Sequence, residues 1–212
     1  MLETYLPHGF RLLRRLELKS GESWPSFVHR MARHNQLDSP SAMIAACVGR
    51  LGDLGIRDRV LHPTQPTAIA VLAHLTWLSE RELYAATAHV YAPTIIPFHQ
   101  AVPWIRLNSG SKVPISSSTE HLVSRGRLKY CPRCLEEDLY HQLNWMPSLA
   151  QVCLQHRCLL ADACPWCGRD LNLSMLLDGR CGSCGKALAE VEPYGVEDDE
   201  LGLGSQQHLQ GW

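Results

Sequence analysis

Cys131-Pro132-Arg133-Cys134 is the first of four short segments that decide the fold of the carboxy-terminal half of this chain; the others are Val152-Cys153-Leu154-Gln155-His156, Cys164-Pro165-Trp166-Cys167 and Cys181-Gly182-Ser183-Cys184. Each segment carries two metal-ligating side chains with two residues between them. Structural zinc takes four tetrahedral nitrogen or sulfur ligands, and a tight turn of this length directs two of them at one ion. The spacing therefore predicts two structural Zn²⁺ ions, the first held by Cys131, Cys134, Cys153 and His156 and the second by Cys164, Cys167, Cys181 and Cys184.

Three alternatives to this assignment remain open at the level of sequence. The ligand pairs can interleave between the two sites, because chain order does not decide which turns share an ion. Cys158 can replace His156 in the first site, although the two-residue gap after Cys153 favours the histidine. A disulfide framework is disfavoured, because the cysteine count of nine is odd and the chain opens without the basic and apolar regions of an export signal. We therefore expect a cytoplasmic protein with reduced thiols.

The pattern also argues against a catalytic zinc. A catalytic site keeps three protein ligands and one open position, whereas both predicted tetrads are complete without an acidic ligand. The His-x-Glu signature of the zinc deaminases and the His-Glu-x-x-His helix of the metalloproteases are both absent from the sequence. We expect a protein that is not an enzyme and in which zinc stabilises the fold.

The amino-terminal half has the signals of a small helical domain. Ser23 followed by Pro25 predicts a helix start, Ser39-Pro40 a second, and the stretch from Phe10 to Lys19 a strand or an ordered arm. Two further helices are predicted at residues 67–75 and from Ser79, where Glu82 completes a capping box. The turn between this last pair resembles a helix-turn-helix. The predicted fold class is mainly α, an amino-terminal helix-turn-helix-like domain followed by a small α+β double zinc-binding module.

Composition predicts the domain organisation. Residues 1–107 are expected to form the helical domain with its extended arm, residues 108–127 a linker, and residues 128–189 the tandem zinc module. Residues 190–212 are expected to be a flexible tail, because six acidic residues and no Lys or Arg fall within residues 190–200. The whole chain has 20 Lys and Arg against 21 Asp and Glu, so the remainder is mildly basic. This charge permits contact with nucleic acid. No run of 18 apolar residues predicts a membrane span.

Cationic residues around the predicted linker, with one tryptophan of the third ligand turn, are the candidates for nucleic-acid or partner contact. A cationic strip can neutralise phosphates, whereas the alternative is an ordinary solvated surface. The candidates are Arg106, Lys112, Arg125, Arg127, Lys129, Arg133 and Trp166.

Several linked motifs carry a family resemblance. Gly21-Glu22-Ser23-Trp24-Pro25 and the helix after it, the Cys131 segment, Asn144-Trp145, and the Cys153 and Cys164 segments resemble the TniQ/TnsD family of transposon target-selection proteins. The resemblance spans about residues 20–185. Arg157 is a departure, because many relatives place glycine after the histidine.

The resemblance implies a non-catalytic adaptor in DNA transposition. Family members link a target-recognition assembly to a TnsC-like AAA+ ATPase, which recruits the transposase. No long region follows Cys184, so the chain looks more like the short TniQ proteins that work beside a CRISPR effector and its guide RNA, near target DNA, in the bacterial cytoplasm and away from membranes. The alternative function is a stand-alone zinc-containing regulator that binds a specific DNA sequence.

Overall fold

The computed structural model describes residues 12, 14–47, 61–63, 66–92, 104–107, 110–114, 127–196 and 200–210. The chain forms two compact units, residues 1–120 and residues 121–212. We call them the helical unit and the metal unit. Among the described residues, no helix is both long enough and apolar enough to cross a membrane.

Within its described residues, the helical unit contains four α-helices, one 3₁₀ turn and a short antiparallel hairpin. The elements are α1 (Trp24–His34), α2 (Pro40–Cys47), α3 (Pro66–Thr76), α4 (Glu80–Ala85), the 3₁₀ turn (Ala88–Tyr91), β1 (Trp104–Arg106) and β2 (Lys112–Pro114). Arg106 pairs with Lys112 at the closed end of the hairpin, so β2 lies inside the stretch that composition assigns to a linker. Gly110 allows this turn, because its φ of 88° is left-handed.

Helix α1 follows the local rules that predict it. The Ser23 hydroxyl accepts a hydrogen bond from the Ser26 N–H as the amino-terminal cap, and a proline lies at the start of the helix. The apolar side chains of one face are fully buried in the core of the helical unit. They are Trp24, Phe27, Val28 and Met31.

The helix pair α3 and α4 has the predicted capping box. The Ser79 hydroxyl accepts from the Glu82 N–H, and the Glu82 carboxylate accepts from the Ser79 N–H at 2.7 Å. Two backbone N–H groups at the start of the helix, which have no partner within it, are thereby satisfied. Helix α4 has only six residues, and its use as a DNA-reading helix stays a prediction.

The described residues of the amino-terminal arm are ordered without forming a strand. Leu12 is buried, and its N–H donates to the Leu75 carbonyl at 3.3 Å. The indole N–H of Trp77 donates back to the Leu12 carbonyl at 3.0 Å. Arg14 bonds through its backbone to the side chain of Asn35, at the end of α1. The arm therefore packs on α1 and on the end of α3.

The Gly21-Glu22-Ser23 sequence joins this arm to α1. Gly21 has a φ of 68°, which glycine adopts without strain, and Ser23 caps the helix. The carboxylate of Glu22 is buried and accepts hydrogen bonds from the Ser26 hydroxyl, the Lys19 N–H and the Arg30 guanidinium. Each residue of the motif thus has a structural role at one corner of the fold.

A buried histidine makes the helical unit sensitive to acid. His89 is fully buried, and its Nε2 donates to the Pro63 carbonyl at 2.8 Å. Burial, with a smaller contribution from His62, lowers its pKa from 6.5 to about 4. The unfolded chain binds the proton on His89 more tightly than the folded chain does. The contribution of neutral His89 to the free energy of unfolding is therefore fully present above pH 6.5 and is lost as the pH falls towards 4.

We expect the free energy of unfolding to fall by about 2 kcal/mol between about pH 7.5 and about pH 5 on account of His89. The His89→Gln variant, which can still donate to Pro63, should lose that part of the pH dependence. Urea titrations of both proteins at the two pH values give the difference, and His34→Gln is the matched exposed control. An unchanged pH dependence in His89→Gln would contradict this assignment.

The metal unit is a small α+β module. Its elements are α5 (Pro132–Glu137), a 3₁₀ turn (Leu143–Trp145), β3 (Val152–Cys153), β4 (Cys158–Leu159), α6 (Leu173–Asp178) and α7 (Glu200–Gln210). Strands β3 and β4 pair antiparallel, with Cys153 opposite Cys158. The core combines ligand cysteines with a few apolar side chains, among them Tyr130, Leu135, Trp145, Leu176 and Leu188. The predicted fold class, mainly helical with a small metal-binding α+β module, is confirmed.

Residues 200–210, predicted as part of a flexible tail, form helix α7 on the edge of β3. The buried side-chain carbonyl of Gln206 accepts from the N–H groups of Gln151 and Val152 at 2.9 and 3.3 Å. These bonds satisfy donors that an uncovered strand edge would leave to solvent. One buried glutamine therefore holds this helix on the metal unit, although acidic residues precede it in the sequence.

Candidate metal centre

The first candidate centre is built where α5 meets the turn between β3 and β4. Cys131 is the amino-terminal cap of α5, Cys134 lies in its first turn, and Cys153 ends β3. The Nδ1 of His156 lies 3.5, 3.2 and 3.8 Å from the sulfurs of Cys131, Cys134 and Cys153 respectively. All four ligand atoms lie within 4.8 Å of one another. Three sulfurs and one nitrogen thus surround a single position.

A carboxylate behind His156 orients its ring. The Nε2 of His156 lies 3.0 Å from the carboxylate of Glu137, which also accepts from the Gln155 side chain. A metal-binding histidine usually donates its other ring N–H to such a group, which fixes the tautomer and strengthens the ligand. Sequence reasoning missed Glu137. Its position three residues after Cys134, on the same short helix, was the available signal.

The second candidate centre is made of two turns with the same local structure. In the first turn the Gly168 N–H donates to the Cys164 carbonyl at 2.9 Å, and in the second the Gly185 N–H donates to the Cys181 carbonyl at 2.8 Å. Both glycines are left-handed, with φ of 68° and 72°. The four sulfurs, of Cys164, Cys167, Cys181 and Cys184, also lie within 4.8 Å of one another.

The cysteines of the metal unit are free thiols in the structure. Neighbouring sulfurs lie 3.5 to 3.7 Å apart, far beyond the about 2.05 Å of a disulfide bond. The chain order of the predicted tetrads matches the two spatial groups, and the ligand pairs do not interleave. Sets of three sulfurs with one nitrogen, and of four sulfurs, fit structural zinc.

Hydrogen bonds make one thiol of each group the easiest to deprotonate. Thiol donors from Cys134 and Cys153 lower the pKa of Cys131, and the same contact with Cys131 raises the pKa of Cys134. In the second group, the backbone N–H groups of Cys184 and Ser183 lower the pKa of Cys181 to about 6. Further thiolates in so small a volume repel one another, and the positive charge of a bound divalent cation offsets that repulsion, so that its ligands lose their protons on binding.

Cys158 is the alternative to His156 as the fourth ligand of the first centre. Its buried sulfur lies 3.5 Å from the sulfur of Cys131. However, the group whose ligand atoms all lie within 4.8 Å of one another contains His156. The geometry favours the histidine.

We expect Cys158→Ala to retain two zinc ions per chain and His156→Ala to lose the ion of the first centre. The reason is that the Nδ1 of His156 lies within 3.8 Å of the sulfurs of all three ligand cysteines. Native mass spectrometry of the purified variants counts the bound ions directly. The reverse result, one ion in Cys158→Ala and two in His156→Ala, would assign the cysteine as ligand.

The turn after His156 has a strained residue. Arg157, where many members of the resembled family have glycine, is left-handed with a φ of 47°. Its carbonyl accepts from the Val196 N–H at 2.8 Å, which helps to hold this conformation. The departure from glycine therefore leaves the turn, and with it His156, in place.

The structure corrects the placement of Lys129. This side chain is buried, and its ammonium donates to the carbonyls of Ser148 and Ala150 at 2.6 and 2.5 Å. Burial lowers its pKa, although Asp162 opposes the shift. Lys129 is therefore a structural residue of the metal unit and does not face a phosphate.

The remaining cationic candidates differ in whether a carboxylate neutralises their charge. Arg106 and Lys112 are exposed on the hairpin of the helical unit, and Arg125 lies outside the described residues. In the metal unit, Arg127 and Arg133 pair with the carboxylates of Asp162 and Glu192 at 3.2 and 3.0 Å.

Trp166 differs from these cations. It is 44% exposed, lies in the first turn of the second centre, and donates its indole N–H to the Ala187 carbonyl at 3.2 Å.

The comparison with known families places a match from the amino-terminal arm to the end of β4. The profile of the TniQ family matches residues 13–160, which is more than half of the chain. The matched range begins in the amino-terminal arm and includes the whole first centre. No curated protein matches the chain.

Proposed function

The chain belongs to the TniQ family of transposition-associated proteins, and from this we propose that it is a non-catalytic adaptor linking a target-recognition complex to a TnsC-like AAA+ ATPase, which recruits the transposase. In this proposal the target-recognition complex is a CRISPR effector with its guide RNA, and the adaptor acts in the cytoplasm close to the target DNA. The family match over residues 13–160 is the observation that carries the proposal, because it spans most of the helical unit together with the first centre of the metal unit.

Two units with independent cores suit an adaptor. The helical unit has its own buried core around Trp24 and Leu72, and the metal unit has another around Tyr130 and Trp145. An adaptor must present a separate surface to each partner. A metal centre allows a small unit to do this, because metal–ligand bonds substitute for the larger core that it lacks.

We propose that both centres hold Zn²⁺ in a structural role. Bound zinc supplies cross-links between segments distant in sequence and no open coordination position. Cys131, Cys134, Cys153 and His156 would hold one ion, and Glu137 would orient the histidine. The four cysteines of the second centre would hold the other.

The direct test is co-purification with a TnsC-like AAA+ ATPase. We expect a complex on size-exclusion chromatography when the ATPase is loaded with a non-hydrolysable ATP analogue, and no ATP turnover by this chain alone. An unrelated AAA+ ATPase is the control for non-specific capture. Absence of any complex under these conditions would refute the adaptor proposal.

The second candidate function is a stand-alone DNA-binding regulator. The helix pair α3 and α4 is the feature that favours it. Such a protein would bind one duplex sequence tightly, and the preference over other sequences would survive moderate salt. Duplex binding with no sequence preference, together with ATPase binding, would decide for the adaptor.

A further inference from the structure

We propose that the second metal centre carries a binding surface for single-stranded nucleic acid, in which a base stacks on Trp166 and the cations of the two cysteine turns contact the phosphates. The surface consists of Trp166, Arg180 and Lys186, with Arg169 at the exit of the first turn. This proposal rests on the nucleic-acid partner in the proposed function and names where the metal unit would meet it.

The three central side chains are gathered around Ala187. Trp166 donates its indole N–H to the Ala187 carbonyl, and Arg180 lies opposite Ala187 in an antiparallel bridge. The ammonium of Lys186 lies 4.2 Å from the centre of the Trp166 ring. The guanidinium of Arg180 donates to the Gly185 carbonyl at 3.3 Å. An aromatic ring and two cations are thus adjacent on one exposed part of the unit.

Trp166 has the structure of a binding residue and not of a core residue. Trp145, a second tryptophan among the described residues of the metal unit, is fully buried, whereas 44% of Trp166 is exposed. Its ring is nevertheless held in one orientation, by the bond to Ala187 and by its place inside a Cys-x-x-Cys turn. Binding to a ring that is already fixed loses little conformational entropy.

The charges of this surface are available to a ligand. None of the ion pairs formed by described residues involves Arg169, Arg180 or Lys186. By contrast, two other cations of the metal unit are paired, Arg127 with Asp162 and Arg133 with Glu192. Arg180 and Lys186 therefore offer two charges without a carboxylate partner among the described residues, beside the exposed ring.

A ring flanked by cations fits a single strand better than a duplex or an acidic protein. In a duplex the base faces are stacked on one another, whereas an unpaired base offers its face to an aromatic side chain. The ammonium of Lys186 lies against the Trp166 ring, and it can also neutralise a neighbouring phosphate. An acidic peptide would use the cations but would gain little from the indole ring.

The test measures the affinity of the full, zinc-loaded chain for a fluorescein-labelled single-stranded RNA and the matching DNA strand by fluorescence anisotropy. We expect Trp166→Ala to weaken binding by roughly 10-fold or more, since stacking of one base contributes on the order of a tenfold or larger factor. Trp166→Phe should restore much of the affinity. Replacing both Arg180 and Lys186 with glutamine should weaken binding and reduce its dependence on salt.

Matched variants separate this surface from general effects on the unit. Tyr194→Ala removes another aromatic side chain of the metal unit, 74% exposed, and should leave the affinity unchanged. Arg133→Gln removes a cation that is already paired and should have little effect. Each variant must retain the metal content of the parent protein by mass spectrometry, which shows that the turns are intact.

Several results would overturn the proposal. These are no binding of either strand by the parent protein, equal affinities of the parent and Trp166→Ala, or a preference for duplex over single strand. Displacement of the strand by polyglutamate, together with insensitivity to Trp166→Ala, would instead identify a surface for acidic proteins. Co-purification of Trp166→Ala with the ATPase is measured in parallel, so loss of the strand site and failure of the adaptor proposal give different patterns.

Discussion

Cys181→Ser will unfold the part of the metal unit around the second centre while the helical unit stays folded. Cys181 is buried among the four sulfurs, and serine is a poor ligand for zinc. Structural zinc contributes about 10–16 kcal/mol in small zinc-binding peptides. That is as large as the about 5–15 kcal/mol total stability of a typical domain. No apolar core of this small unit can replace it.

The experiment combines metal analysis with limited proteolysis. The parent protein should contain two zinc ions per chain and resist cleavage between Cys164 and Cys184. A strong chelator should expose that segment, and added zinc should protect it again. In Cys181→Ser, added zinc should give no protection, whereas cleavage within α1 and α3 stays slow.

Ser183→Ala is the matched control for this variant. Ser183 lies in the same turn and supplies only its backbone N–H, which donates to the Cys181 sulfur at 3.4 Å. Alanine keeps that N–H, so this variant should hold two ions and resist protease like the parent. A metal-free parent protein that is fully folded, or a Cys181→Ser protein as resistant as the parent, would show that the thiols do not need a metal.

The sequence predicts those features that depend on a few neighbouring residues. The two-residue gap in each ligand pair is a local constraint, and the pairs that follow one another along the chain also meet in space. The capping box of Ser79 and Glu82 and the cap of Ser23 are likewise contained within one helical turn. Such signals do not need the rest of the fold to be interpreted.

The features that sequence reasoning missed are set by contacts between distant segments. Sequence reasoning assigns Lys129 to a cationic strip, because it falls in a run of Lys and Arg around the predicted linker. It is buried because the loop at residues 147–150 directs three carbonyls at its ammonium. Gln206 orders α7 through a strand edge 55 residues earlier in the chain. No local pattern around either residue records its partner.

Charge explains why the predicted cationic strip differs from the cationic surface in the structure. Sequence reasoning counted Arg127 and Arg133 as candidates, and their carboxylate partners are remote in sequence, at Asp162 and Glu192. Sequence reasoning did not select Arg180 and Lys186 as candidates, because they lie six residues apart with a metal-binding turn between them. The antiparallel bridge from Arg180 to Ala187 brings them together beside Trp166.

The second large effect is expected at the corner of the helical unit, where Glu22→Ala should destabilise the unit by about 3–5 kcal/mol. The side chain of Glu22 is completely buried, and that of Arg30 is 17% exposed, with 2.5 Å between their charged atoms. Removal of the carboxylate leaves a largely buried guanidinium without its counter-charge. It also leaves the Lys19 N–H and the Ser26 hydroxyl without their acceptor.

Urea denaturation of Glu22→Ala, Arg30→Ala and the double variant measures this pair as a thermodynamic cycle. Removing one partner costs stability mainly because the other charge stays buried and unpaired. The double variant should therefore lose less stability than the sum of the two single losses. Glu22→Gln keeps one acceptor oxygen and should fall between the parent and Glu22→Ala. Glu17→Ala, which removes an exposed carboxylate of the same arm, should change the free energy of unfolding by no more than about 0.5 kcal/mol. Additive losses in the double variant, or a loss in Glu22→Ala no larger than in Glu17→Ala, would contradict a stabilising role for this buried pair. A loss in Glu22→Ala that greatly exceeds the loss in Glu17→Ala, with coupling in the double variant, would show that the Gly21-Glu22-Ser23 motif joins the arm to α1.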